Sequence, residues 1–237
     1  MNPTRKGLGA AGKAGAVVVL IIVILGAIYL FPKFSAASQS QASSSNSGIK
    51  QIAGMPALFY GFTRMQVSVY VNDPVNGIDQ NQSYSYTVLG KGTLNSTVYT
   101  RVEFTTVGVG NDVVAWYNST GGIGEVDVVG VRNYTGNGAG NLPFITIYSN
   151  AFGTLASIGD NATLLSLLSK TSEVLTSIGP TQMDVTTYVL SGRSYPYSHL
   201  TLQFATIPGT DVQLVTYVDE KTVDGSTTIL QVTSMTR

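Results

Sequence analysis

Hydrophobic and polar residues alternate along most of the chain beyond residue 50. The stretches MQVSVYVN (Met65–Asn72), SYSYTVLG (Ser83–Gly90) and STVYTRVEFTTV (Ser96–Val107) each place apolar side chains at every second position. Six further stretches follow the same pattern: DVVAWYN, GEVDVVGV, MDVTTYVL, LTLQFATI, VQLVTYVD and STTILQVTS. Because successive side chains of a strand point to opposite faces, this period predicts β-strands with one buried face.

The connections between these stretches are short and rich in Asn, Asp and Gly. The segments LGKGTLN, YNSTGGIGE and VDEKTVDGST have the length and composition that β-hairpins use. Parallel neighbours would need long crossover connections, so the short connections predict an antiparallel sheet.

One segment departs from the period of two. Asp160–Pro180 has apolar residues at 164, 167, 168, 174, 175 and 178, which is the spacing of a helix face. Asp160 or Asn161 can cap its start, Gly179-Pro180 can end it, and a shorter helix is expected around Asn150–Ile158. We therefore expect an α+β domain over residues 50–237, with an antiparallel sheet and a helical insertion near 150–178. A β-sandwich with a helical insertion is the alternative.

The order of elements also resembles a known superfamily. Strands such as YSYTVLGKGTLNSTVYTRVEF and NDVVAWYNSTGGIGEVDV, within Tyr84–Val128, precede a glycine-rich passage, NYTGNGAGNLPF, then helices, then more strands. This order resembles the periplasmic lipoprotein-carrier superfamily over roughly residues 60–235. The resemblance implies a curved antiparallel sheet that partly wraps its helices and can hold an acyl chain. The expected ligand is then a lipid or another hydrophobic molecule, in a pocket lined by sheet residues and by Leu164, Leu168 and Val174, with Trp116 as a candidate contact aromatic.

The N-terminal region contains a hydrophobic run without a charged residue, Ala14–Phe31. As a helix its 18 residues would extend about 27 Å, enough for the hydrocarbon core of a bilayer. Basic residues before the run orient residues 1–13 to the cytoplasm and the rest of the chain outside. Residues 32–49 are rich in Ser and small polar residues, which is typical of a flexible linker with a reach of roughly 20 Å. We expect a single-pass cell-membrane protein.

Two other interpretations of the N-terminus remain open. Ser35-Ala36-Ala37 could be a signal-peptidase site that gives a mature start near Ser38. Arg5-Lys6-Gly7 is similar to the processing site of archaeal type IV pilin precursors, and this resemblance covers the first thirty residues. Both interpretations still export the remainder of the chain.

The charge and composition narrow the function classes. Four of the 13 basic residues and none of the 13 acidic residues precede residue 34, which leaves the rest with a formal charge of about −4. Such a body lacks the basic surface that nucleic-acid binding requires. Charged residues are 11% of the chain, so Ser, Thr, Asn, Tyr and Gly solvate the surface, as suits an acidic exterior. The missing cysteine and this composition resemble cell-surface proteins of thermoacidophilic archaea.

The sequence contains five N-x-S/T sequons, which predict N-glycosylation of an exported chain. Their asparagines are Asn81, Asn95, Asn118, Asn133 and Asn161. Asn161 is also the candidate helix cap. Several of the five fall in predicted turns, where a transferase could reach them.

Residues that usually carry catalysis or bind metals are sparse. His199 is the single histidine, there is no cysteine and no G-x-S-x-G motif, so neither a catalytic triad nor a zinc or copper site is expected. Glu103, Glu125 and Asp127 are the carboxylates best placed for a glycosidase-like pair, and alternation puts Glu125 and Asp127 on one outward face. We expect no enzyme, no metal and no cofactor. The predicted function is a membrane-anchored extracytoplasmic binding domain for a hydrophobic ligand or an envelope protein, and a pilin-like or envelope structural subunit is the alternative.

Overall fold

The computed structural model describes residues 58–59, 61–109, 113–128, 132–135, 148, 151–152, 166–190, 192, 197–207 and 213–237. Within these ranges, one sheet contains eleven strands in the order β6-β5-β4-β3-β2-β1-β11-β10-β9-β8-β7, and every neighbouring pair is antiparallel. The predicted alternating stretches thus form an antiparallel sheet. The strands are β1 (Arg64–Asp73), β2 (Ile78–Leu94), β3 (Thr97–Thr106), β4 (Val113–Tyr117), β5 (Ile123–Val128), β6 (Arg132–Thr135), β7 (Leu168–Ile178), β8 (Thr181–Leu190), β9 (Tyr197–Thr206), β10 (Gln213–Thr222) and β11 (Thr227–Thr236).

The prediction of an α+β fold with a helical insertion near 150–178 is wrong. Leu168–Ile178, the second half of the predicted helix, is strand β7 and pairs with β8. Its sequence, LSKTSEVLTSI, is rich in Ser and Thr, which disfavour helices, and its β-branched residues (Thr, Val and Ile) favour strands. Val174 and Leu175, assigned to a buried helix face, are 53% and 65% exposed. Ala151 and Phe152 have helical backbone, and residues 153–165 of the predicted insertion lie outside the described residues.

The alternative of a β-sandwich is not found either, because the described strands belong to one sheet. That sheet is strongly curved between β11 and β8. These two strands are three positions apart in the sheet, a separation of about 14 Å if the sheet were flat. Nevertheless, the Thr181 hydroxyl at the start of β8 donates a hydrogen bond of 2.7 Å to the Met235 carbonyl in β11.

Phe59, Tyr148 and Phe152, which have helical backbone, cover one face of strands β2–β4, which we call the inner face. Phe59 packs against Tyr86 with ring centroids 5.2 Å apart, and Phe152 packs against the same ring at 5.1 Å. Tyr148 stacks on Phe104 at 5.1 Å. Most of these contacts are edge-to-face or tilted, the geometries that aromatic pairs prefer. The inner face is therefore the hydrophobic core of this half of the domain.

The hairpin between β2 and β3 differs from the predicted one. The glycines of LGKGTLN do not form the turn, because β2 continues through them to Leu94 with a bulge between Val88 and Gly90. The turn residues are Asn95 and Ser96, with φ angles of 49° and 65°. Two successive positive φ values define the twist of a type I′ turn, which suits a two-residue hairpin even without glycine.

Candidate binding site on the outer face

The opposite, outward face of β3–β5 presents a row of polar and aromatic residues. Arg101 in β3 pairs with Trp116 in β4, and Trp116 pairs with Glu125 in β5. Asp127 lies one step along β5 on the same face. We name Arg101, Trp116, Glu125 and Asp127 the Trp116 cluster. Strand alternation sends the residues between them to the core, so the sheet holds the cluster on a rigid support.

The indole of Trp116 lies flat across several strands. Its Nε1 donates a hydrogen bond of 3.1 Å to Asp127 Oδ2, and the Arg101 guanidinium carbon lies 5.3 Å from the ring centroid. At the other end of the ring, a Cβ atom on Gly92 would lie only 2.5 Å from Cζ3 of Trp116. Gly92 therefore provides the space that this ring position requires, while the hydrogen bond and the cation–π contact fix its orientation.

Glu125 and Asp127 form a carboxyl pair in hydrogen-bonding contact. Glu125 is only 9% exposed. Burial, followed by the hydrogen bond to Asp127 and the charge of Asp127, raises the pKa of Glu125 above its ordinary value. The buried Oδ1 atom of Asp127 has no donor among the described residues. The raised pKa favours the protonated form of Glu125, which can donate a hydrogen bond as well as accept one.

Arg101 contributes a second unpaired polar atom. Its Nε is buried and has no acceptor within the described part of the chain. Buried donors without acceptors are rare in folded proteins and call for a specific explanation, such as a bound water or ligand. The cluster thus combines a guanidinium donor, a carboxyl pair that can both accept and donate, and an aromatic ring.

The carboxyl pair is not arranged like the pair of a glycoside hydrolase. In those enzymes the two carboxyl groups flank the scissile bond and stand about 5 Å or more apart. Glu125 and Asp127 instead contact each other directly. Glu103, the third predicted carboxylate, pairs with Val114, which separates it from Asp127 across β4. This arrangement suits recognition of hydroxyl groups better than bond cleavage.

The residues predicted to line a hydrophobic pocket lie far apart in sheet order. Leu168 is buried in β7, Val174 is exposed in the same strand, and Leu164 lies outside the described residues. Trp116 is in β4, and seven strands separate β4 from β7 in the sheet. Strand order alone does not decide whether these residues line one pocket in a curved sheet, so the pocket stays a prediction.

The sequons fall at different places in the sheet. Asn81 is exposed on β2 and its Oδ1 accepts a 3.2 Å hydrogen bond from Ser68, whereas Asn95 is exposed in the β2–β3 turn. Asn118 begins the β4–β5 turn, and Asn133 belongs to β6. Asn161 lies outside the described residues.

His199 is an exposed residue of β9 whose ring contacts Asp219 at 3.5 Å and Thr201 at 3.2 Å. Across the described ranges, no three His, Asp or Glu side chains converge in the way a metal ion needs. The same ranges contain no helix with the length and hydrophobicity of a membrane span. The predicted span, residues 14–31, lies outside them.

Comparison with known proteins gives distant structural likenesses only. No family model and no curated protein sequence matches the chain. MucB, a protein also solved in complex with MucA(peri), is 12% identical over 73% of this chain with a TM-score of 0.35, and this chain spans about half of it, 52%. A DUF1329 family protein from Desulfovibrio piger is 12% identical, with 73% and 84% of the two chains covered and a TM-score of 0.27. A putative lipoprotein from Parabacteroides distasonis is 12% identical, with 72% and 94% covered and a TM-score of 0.21. At TM-scores this low, the likenesses decide neither the fold nor the function.

The sequence identified only part of the Trp116 cluster. Trp116, Glu125 and Asp127 were candidates because of their residue types, but Arg101 and Gly92 were not. The available signal was register: Arg101 is an outward residue of its strand, and consecutive hairpin strands place their outward residues side by side. The sequence pattern predicts a turn at Gly92, whereas the residue lies within β2 and makes room for the Trp116 indole.

Proposed function

We propose that the chain is a membrane-anchored extracytoplasmic binding domain that contacts its ligand through the Trp116 cluster. The observation that carries this proposal is the contact of the buried Glu125 with the half-buried Asp127, beside an arginine-stacked indole and with unpaired polar atoms on Arg101 and Asp127. Residues 14–31 would span the membrane and residues 32–49 would tether the sheet at the cell surface. The proposal is binding without catalysis.

The chemistry of the cluster favours a hydroxylated ligand, such as a neutral saccharide. Neighbouring hydroxyls can accept from the guanidinium of Arg101 and donate to the carboxylate of Asp127, while the apolar face of a sugar ring suits the aromatic surface. A strongly anionic ligand would be repelled by the carboxyl pair and by Glu103 on the same face. The ring and its partners are already ordered, so binding would cost little side-chain entropy.

Intrinsic fluorescence tests this proposal directly, because Trp116 is the only tryptophan in the chain. The detergent-solubilised full chain is titrated with maltotriose, cellotriose and mannotriose. Each sugar is added to about 10 mM, a concentration that would saturate a site with a dissociation constant of about 1 mM. We expect a saturable change with at least one of them, lost in Arg101→Gln and in Glu125→Gln. Asp79→Asn, an exposed carboxylate on β2, is the matched control and should bind normally. A flat titration with all three sugars would contradict binding at this cluster.

A hydrophobic ligand is a second candidate, and the apolar layer on the inner face favours it. Phe59, Tyr148 and Phe152 contact the sheet mainly through their rings, so an acyl chain could replace these contacts if the helical residues moved away. Organic extraction of the purified chain followed by mass spectrometry tests this function. A stoichiometric lipid would support it, and a lipid-free native preparation would argue against it.

An envelope structural subunit is favoured by strand β7. This strand ends the sheet and, among the described strands, pairs only with β8. Nine of its eleven residues are exposed, including Val174 and Leu175. Such an edge can accept a further strand from another subunit. Regular polymers on electron micrographs, with a native N-terminus just after Gly7, would support this function over the binding domain.

A further inference from the structure

The turn between β4 and β5 fixes the side chain of Asn118. Its Oδ1 accepts three hydrogen bonds: 3.0 Å from the Thr120 amide, 2.8 Å from the Thr120 hydroxyl and 2.8 Å from the Gly122 amide. The backbone closes the same turn, because the Asn118 amide donates to the Gly122 carbonyl at 2.9 Å and the Gly121 amide donates to the Asn118 carbonyl at 3.1 Å. Three donors can point only at the oxygen, so they define which end of the carboxamide is Oδ1.

The other end of the carboxamide, Nδ2, takes no part in these hydrogen bonds of the turn. Nδ2 lies over Gly122, where a Cβ atom would approach it to 2.9 Å. Gly122 is exposed, and no described residue accepts a hydrogen bond from Nδ2. The turn therefore holds this nitrogen at the surface, with the space beneath it kept open by the glycine.

The aromatic ring of Tyr99 borders the Trp116 cluster, on the strand that neighbours the one leading into Asn118. The last β3–β4 pair is Thr100 with Tyr117, so one further step brings Tyr99 opposite Asn118. The Tyr99 ring crosses to β5, where a Cβ atom on Gly124 would lie 2.5 Å from its Cε1. Its centroid is 6.5 Å from that of Trp116. Gly122 thus leaves room for the Asn118 carboxamide, and Gly124 leaves room for the Tyr99 ring.

We propose that Asn118 carries an N-linked glycan whose first saccharide lies against the ring of Tyr99, at the border of the Trp116 cluster. Asn118-Ser119-Thr120 is an acceptor sequon, and the sugar's apolar face would contact the tyrosine ring. An external transferase would join Nδ2 to the anomeric carbon of a glycosyl phosphate donor. The bond from that carbon to the phosphate oxygen breaks, the phosphate leaves with its electron pair, and a base takes one Nδ2 proton. The inference rests on the proposed extracytoplasmic location.

The first measurement is site-specific mass spectrometry of the full chain purified from native membranes. We expect a glycan mass on the peptide that contains Asn118, retained in Thr120→Ser and absent in Thr120→Ala and Asn118→Asp. Asn118→Asp keeps the carboxyl oxygen that the three turn donors need, so it separates loss of the glycan from damage to the turn. Asn95→Gln removes a neighbouring sequon and should leave the Asn118 glycan in place.

The second measurement tests the contact with Tyr99. Chemical removal of the glycan should shift the emission of Trp116 and lower Tm by about 3 °C, the change expected when one stacking contact is lost in a domain of this size. In Tyr99→Leu the same treatment should change Tm by less than about 1 °C. Equal losses of Tm in both chains would overturn the contact with Tyr99.

The outcomes distinguish this inference from the proposed function. If Asn118 is bare while another sequon is modified, the site is overturned and the extracytoplasmic location stands. If every sequon is bare and the native chain fractionates with the cytosol, the location itself is wrong.

Discussion

Neutralising Glu220 should change how the stability of the domain depends on pH. Glu220 lies in β10, where it pairs with Leu200 and Thr228, and only 2% of it is exposed. Its buried Oε2 has no hydrogen-bond partner among the described residues. Burial, with a smaller contribution from the charge of Asp224, raises the pKa of this carboxyl to about 7 from 4.5. The folded domain therefore favours the protonated form of Glu220.

The raised pKa of Glu220 determines both the direction and the size of the change in folding stability with pH. Below about pH 4.5 Glu220 is protonated in the folded and the unfolded chain, so its stabilising contribution is complete. As the pH rises to about 7, the unfolded chain releases the proton and the folded chain keeps it, so stability falls. The difference between the two pKa values corresponds to a loss of about 3 kcal/mol, and the curve is flat above this range.

Urea unfolding of the full chain and of Glu220→Gln at pH 4.5, 6, 7.5 and 9 measures this effect. The neutral amide cannot ionise, so the variant should lose the fall in stability between pH 4.5 and 7. At pH 7.5 and above the free energy of unfolding of the variant should exceed that of the native chain by up to about 3 kcal/mol, because the native chain must then ionise a buried carboxyl and the variant need not. Asp79→Asn, which removes an exposed carboxylate, should keep the native profile.

Two results would refute this reasoning. An unchanged slope in Glu220→Gln would mean that Glu220 is already ionised in the folded domain at neutral pH. A variant that is less stable by the same amount at every pH would mean that packing, not ionisation, governs the site. Every other titratable group is the same in both chains, so the difference between the two profiles isolates Glu220.

Three further perturbations test other parts of the structure. Ser96→Gly should raise the free energy of unfolding by about 0.5 kcal/mol, because glycine adopts the φ of 65° at this turn without strain; a loss of stability in urea would contradict the type I′ assignment. Gly92→Ala should cost about 1–3 kcal/mol and shift the emission of Trp116, since the new Cβ would meet the indole; Gly61→Ala, which meets only van der Waals contacts, is the control and should not shift it. Leu175→Lys should change stability by less than about 0.5 kcal/mol and reduce self-association in ultracentrifugation, since this side chain is exposed on an edge strand; strong destabilisation would mean that it is buried.

Local alternation was enough to predict most of the sheet. In β1, the residues predicted to share one face include Met65, Val67 and Val71, and all three are buried. Each of these strands has one face against the core, so apolar residues occupy every second position of its sequence. The antiparallel pairing followed from the short connections, which limit how consecutive strands can be arranged.

The misassigned strand β7 shows where that reasoning stops. Between its ends, Leu168 and Ile178, every residue of β7 is exposed, so no buried face imposed a period of two on its sequence. The apolar residues that remain match a helix by spacing alone. Their exposure, and the pairing of Val174 with Val185 in β8, are consequences of the strand's position at the end of the sheet, which only the tertiary structure determines.

The site was partly predictable for a related reason. A side chain's type suggests what it can bind, but its partners depend on register between strands that are distant in sequence. Trp116 contacts Asp127 and Arg101 because hairpins align β3, β4 and β5, and a one-residue shift would send these side chains to the core. The need for glycine at position 92 can be recognised only once the position of the Trp116 indole is known, because any Cβ atom there would meet the ring.

The buried carboxyl groups connect the fold to the chemistry of the surroundings. Burial is the largest cause of the raised pKa of both Glu125 and Glu220, so each favours the folded state most when it is protonated. Asp73 and Asp224 have the opposite effect on stability. Hydrogen bonds within their turns lower the pKa of each carboxyl below 3.8, so their contribution to stability is lost only when the pH falls below that value. The raised pKa of Glu220 predicts that the stability of the domain declines as the pH rises from about 4.5 to about 7. The low charge of the chain suits the same conditions, because a surface solvated by hydroxyl and amide groups keeps its hydration when carboxylates become neutral. We therefore propose that the domain works in an acidic exterior, where both the composition of its surface and the buried carboxyls beneath it would be favourable.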